Sequence, residues 1–128
     1  MTIKIVAVDD KFIARSVSFL WWKRIYTGTL FNILLECQQE AVIAHETAHC
    51  NWHHSELRVL TLLFCPFLIK RICRWTEFVA DRYAAKVGLG YALITVLRLG
   101  ESSSWMYPSH EDRIKAIKLY VSKSRNAR

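Results

Sequence analysis

No stretch of this 128-residue chain is long and apolar enough to cross a bilayer. The longest uncharged apolar segment, Val59 to Ile69, covers 11 residues between Arg58 and Lys70 and contains Pro66. As a helix it would reach about 16 Å, against about 30 Å of hydrocarbon. It reads as a buried core helix, with peripheral contact at a membrane surface the most it could make. No secretory leader is expected, because Asp9 and Asp10 interrupt the N-terminal apolar run before an h-region can form. The four cysteines, Cys37, Cys50, Cys65 and Cys73, include no C-x-x-C pair and no regular spacing. With no export signal, that favours free thiols in a reducing cytoplasm over disulfides. No nucleic-acid motif accompanies the formal charge of +7. The basic excess reads as a solvated face, carried partly by Lys115, Lys118, Lys123, Arg125 and Arg128, and no nucleic-acid partner is expected.

Repeats, low-complexity blocks and domain boundaries are also missing, so residues 1–128 read as one domain with a frayed basic tail at about 123–128. What is present is ample core material, with 52% hydrophobic residues. Ile3 to Val8 predicts a short strand, and 15–22 and 24–27 predict two more, giving a small N-terminal antiparallel sheet. A short helix over 29–35 follows, then a long one over about 37–53. The next, about 56–72, has Ser55 as a possible cap and Pro66 to kink or split it. Residues 75–87 form a further helix stopped by Gly88-Leu89-Gly90, and Tyr91–Leu99 a shorter one. Residues 100–104 are the clearest loop. Ser109 then caps a last helix over about 110–122, with Glu111 and Asp112 in its first turn. The expected class is α+β, a small sheet followed by a mainly helical domain.

Within the long helix stands His45-Glu46-Thr47-Ala48-His49. Four residues advance about 6 Å along a helix and about 40° around it, so both imidazoles project from one face. They can share one Zn²⁺ at about 2.0–2.1 Å each. Glu46 points roughly 100° from His45 and flanks such an ion, placed to take a proton from a bound water. A solvated helix carrying these residues is the plain alternative. The apolar turn before the motif, Ala41-Val42-Ile43-Ala44, argues against it, because polar groups on a buried helix need a partner. Cys50 points about 100° away from His49 and is not counted as a ligand.

A catalytic zinc needs three protein ligands and an open position. On a continuous helix His53 sits about 12 Å from His45, too far to share an ion. His54 fails likewise unless the helix breaks, and no glycine follows His49 to turn the chain. Glu77, in Glu77-Phe78-Val79-Ala80-Asp81, is the better third ligand. Asp81 lies on the same helical face, where it would accept a hydrogen bond from a ligand histidine and fix its tautomer. The competing reading pairs both acids with Arg74 or Arg82 on the surface.

The segment Glu40–His49, with His54 after it, resembles the active-site helix of gluzincin zinc metallopeptidases of the M48 type, the HtpX and CAAX prenyl protease relatives. Glu77 to Gly88 is similar to that family's glutamate helix, and Pro108 to Ile114 to its closing segment. The likeness spans about residues 5–120. Without transmembrane helices, it is closest to the compact versions called minigluzincins. The sensor-type M56 peptidases share the first two motifs. The resemblance implies a peptide-bond hydrolase with one Zn²⁺ on His45, His49 and Glu77, and with Glu46 as general base and acid. It also implies an edge strand near residues 14–27 that binds an extended peptide. Where the family has a histidine before the proline, this chain has Tyr107, whose hydroxyl can donate to an oxyanion. Arg113 would assist electrostatically, and His110 lies three residues from the family position.

The expected activity is therefore a zinc-dependent metalloendopeptidase acting on a peptide or protein substrate. Two rivals stand beside it. One is a catalytically weak or latent zinc-stabilised binding or regulatory protein with the same fold. The other is a membrane-surface protein docking through Trp21, Trp22 and the Val59–Ile69 run.

Overall fold

The computed structural model describes residues 2–100 and 105–127. Strands β1 (Lys4–Ala7), β2 (Ala14–Phe19) and β3 (Trp22–Thr27) precede five helices. These are α1 (Glu36–Asn51), α2 (His54–Phe64), α3 (Ile69–Lys86), α4 (Gly90–Leu97) and α5 (His110–Asn126). Short 3₁₀ turns lie at Phe31–Ile33 and Pro66–Leu68. The architecture is α+β, as the residue pattern predicts. Residues 101–104 of the expected loop lie outside the described residues.

The sheet has the order β1-β3-β2 and is mixed where an antiparallel one was expected: β2 and β3 form an antiparallel hairpin, but β1 runs parallel to β3. The link after β1 carries the chain past the end of β3. Gly28 accepts a bond there and gives one to Ile13 O, while Thr29 N donates to Asp10 O. A Cβ on Gly28 would stand 2.2 Å from Phe12 O, so only glycine admits the crossing. β2 is left as an edge strand running along α1.

Two expected helix boundaries move. Pro66 divides the predicted 56–72 helix, because a proline breaks the ladder and restricts its predecessor. The piece beyond it joins the next helix, so α3 starts at Ile69 and not at 75. Nor does the last helix stop at 122: it continues to Asn126, through most of the tail expected to fray. Ser55 does not cap α2, which already starts at His54 behind His53; the Gly88 stop and the Ser109 cap do form. Gly88 takes φ +91°, Gly88 N donates to Ala85 O and Leu89 N to Ala84 O, which is a Schellman ending. Ser109 Oγ accepts from Asp112 N at 3.1 Å.

The core lies between the helices, and the Val59–Ile69 run expected within it is instead mostly exposed, with only Thr61 and Ile69 buried. Ala41, Ala84, Ala85, Leu93, Ile94 and Ile117 interlock α1, α3, α4 and α5. Val42 and Val96, with Leu34, close the side toward the sheet. All four cysteines are free thiols. Among the described residues no helix is long and apolar enough to cross a membrane.

Candidate metal centre

Small side chains set the distance between α1 and α3. Ala41 and Ala48 on α1, and Ala80 and Ala84 on α3, have no exposed surface. Methyl groups let the two backbones approach, and polar residues at four-residue spacing in the same contact are drawn together. His45, His49, Glu77 and Asp81 are all buried, with at most 9% of any one exposed.

The functional atoms of three of them converge. His45 Nε2 lies 3.1 Å from His49 Nε2 and 3.3 Å from Glu77 Oε2. His49 Nε2 is 3.2 Å from Glu77 Oε1. A tetrahedron around Zn²⁺ with bonds of about 2.0–2.1 Å has edges of about 3.3–3.4 Å. The two imidazole nitrogens stand at about that spacing, and Glu77 turns one carboxylate oxygen toward each, so the group could hold a metal. The electrostatics agree. Burial disfavours charge on His45, yet bonding to Asp81 and Glu77 and their negative charge raise its pKa to about 10. The same carboxylate charge would attract a metal cation, which has to displace that proton to bind. Burial keeps His49 below its ordinary value against the pull of Glu77. Burial likewise resists ionisation of Glu77, but the two histidines hold its carboxyl well below the usual range.

The remaining ring nitrogens are also engaged. Asp81 Oδ1 lies 2.9 Å from His45 Nδ1, an ion-pair approach bent away from a straight N–H···O line. Arg113 grips that same carboxylate, with Nε 2.8 Å from Oδ2 and Nη2 2.6 Å from Oδ1. His49 Nδ1 is 2.7 Å from His54 Nδ1. With His49 Nε2 turned to the triad as a lone pair, the proton of this contact belongs on His49 Nδ1 and His54 accepts it. Burial, with His49 and Arg58 nearby, lowers His54 to about 4, which keeps it a neutral acceptor.

His54 is not among the three converging donors, but it stands nearer to them than a continuous helix would allow. On a continuous helix it would be carried away, but α1 ends at Asn51 and His53 adopts φ +53°. That left-handed residue turns the chain without a glycine and swings His54 back under His49. Histidine is among the non-glycine residues that tolerate this region, which was the available signal. Arg58 was missed altogether. It stands one turn after His54 on α2 and donates through Nη2 to Glu77 Oε1 at 3.0 Å and to Thr76 Oγ1 at 2.7 Å. Nothing in the local sequence marks it, because its partner Glu77 lies 19 residues on, across the turn between α2 and α3.

A cavity of about 460 Å³ opens over the triad, within the usual size of a ligand pocket. Glu46, partly exposed, lines it beside the histidines, and so do residues 13–16 at the start of edge strand β2. Tyr107 and Arg113 line it too, so both expected auxiliary residues reach the site. The Tyr107 ring lies 5.5 Å from the Arg58 guanidinium, and burial raises its hydroxyl pKa, keeping it a donor. Arg113 is taken up by Asp81 and reaches Glu77 Oε2 at 3.5 Å. His110 also lines the cavity, with Nδ1 held by the carbonyls of Leu97 and Gly100. No family model, curated protein or solved structure matches the chain; the centre is read from its own geometry.

Proposed function

We propose that this chain is a zinc-dependent metallopeptidase of the gluzincin kind, with zinc held by His45, His49 and Glu77. The single observation that carries the reading is the convergence of these three donors beside Glu46 in one open cavity. Two imidazoles and one carboxylate are the donor set of several zinc hydrolases, and the borderline-soft Zn²⁺ suits them better than Mg²⁺ or Ca²⁺. Zinc, when bound, polarises a carbonyl and acidifies a water.

The chain's own residues would do the rest. Glu46 takes a proton from the attacking water and returns it to the leaving amine. Tyr107 offers its hydroxyl to the oxygen on which charge develops. Arg113 and Arg58 act as positioning residues, fixing Asp81 and Glu77 so that the ligands stay aimed. The free edge of β2, which enters the cavity at residues 14–16, pairs with an extended peptide backbone.

Purified protein should carry about one zinc per chain, and Glu77→Ala should lose it. Glu46→Gln should keep the zinc while cleavage of an unfolded protein substrate slows by about 10²–10⁴-fold. A Glu46→Gln variant as fast as the parent chain would sink the mechanism. Full zinc occupancy with no cleavage of any peptide library would instead favour a zinc-stabilised binding protein.

A further inference from the structure

The corner joining α2 to α3 carries an apolar surface that the metal centre does not use. Thr61 and His54 define the inward side of α2, with Arg58 turned toward α3. Across the rest of its last two turns, α2 presents Val59, Leu60, Leu62, Leu63 and Phe64, each more than half exposed. Phe67, in the 3₁₀ turn at the corner, is 81% exposed. A helix in water carries polar residues on its outer face, and one apolar all round is normally covered. Contiguous exposed surface of this kind marks a docking site.

Charge identifies the occupant. No acidic residue occurs from Leu57 to Thr76, while Lys70, Arg71 and Arg74 follow the corner within two turns of α3. Lys70 and Arg71 are exposed. Trp75 and Trp105 are both more than half exposed, and the Lys70 ammonium lies 5.8 Å from the Trp105 ring. An apolar tip with a collar of cations and indoles matches the order of layers at a lipid surface: acyl chains, then anionic headgroups.

We propose that the Leu63–Phe67 corner inserts into an anionic membrane surface, with Lys70, Arg71 and Arg74 meeting the headgroups. The Pro66 break is what makes the tip. The chain leaves α2 at Phe64 and re-enters helix at Ile69, and within this break Phe64 and Phe67 are left largely exposed. Such insertion is monotopic and requires no spanning helix. It does not depend on whether the metal centre is catalytic.

Co-sedimentation of the full chain with phosphatidylcholine vesicles, with and without phosphatidylserine, tests it at low and raised salt. The parent chain should pellet with the anionic vesicles and be released as salt rises. Phe64→Ser/Phe67→Ser should weaken binding by more than about tenfold, and Lys70→Glu/Arg71→Glu by at least about twentyfold. Both pairs are exposed, and circular dichroism matching the parent chain shows that folding is kept. Failure to pellet with anionic vesicles at low salt would overturn the proposal, as would undiminished binding by the phenylalanine variant. A dimer in sedimentation velocity that this variant abolishes, with no vesicle binding, would assign the face to a second copy instead.

Discussion

Removing the His54 ring would leave His49 Nδ1–H buried without its acceptor, and His49 would be free to present the wrong nitrogen to the triad. Outer partners of metal-binding histidines commonly contribute about 10–100-fold in affinity. His54→Phe should therefore weaken zinc binding by about that factor in competition with a chromophoric chelator. His54→Gln, whose amide oxygen can accept the same proton, should recover part of the loss. Equal affinity in all three proteins would show that the His49–His54 contact does no orienting. The His45, Glu46 and His49 group was legible because a local helical spacing defines it. His54 was not, since its place depends on a left-handed residue without glycine, and Arg58 was not, since nothing local distinguishes it from a surface arginine.

Between α1 and α3 the alanines act as spacers. Ala80→Leu adds three methylene-sized groups at a position with no exposed surface, and should cost about 1–3 kcal/mol of stability. It should also separate the ligand-bearing helices, so that zinc content falls even where the protein folds. Ala80→Ser, nearly the same size, should keep the zinc, and metal analysis of the two variants separates spacing from mere destabilisation. A second tie joins sheet to helices: Glu56 on α2 accepts from Ser18 on β2 and pairs with His53. Burial opposes the charge on Glu56, but these two partners hold its pKa below the ordinary value. A depressed carboxylate pKa stabilises the fold above the unfolded value, and the benefit disappears as pH falls through the folded one. Glu56→Gln should thus lower stability by about 1 kcal/mol at pH 7, and the difference in melting temperature should shrink below about pH 4.3. A gap independent of pH would mean that the carboxylate's charge plays no part. The strands themselves could be read from alternation and β-branched residues, whereas the parallel pairing of β1 with β3 could not. It is decided by the crossing at Gly28, a contact between distant backbones that leaves no periodic trace.

Across the whole molecule, the triad links α1 to α3 and hence the halves of the core. A ligand that binds only the folded chain stabilises it by mass action, about 4 kcal/mol at a thousand times its dissociation constant. For a chain of this length zinc should then raise the melting temperature by on the order of 10 °C, and a chelator should reverse it. Glu77→Ala should show no such gain in differential scanning calorimetry. An identical rise in that variant would place the ion elsewhere.

Alanine against alanine also works as a gauge for ionic radius. Calcium takes six to eight oxygens at about 2.3–2.6 Å, a larger polyhedron than the triad spans. Helices packed through fully buried alanines have little room to widen their grip. Were the triad to hold an ion, that spacing would favour a small one, ahead of any preference the imidazoles express.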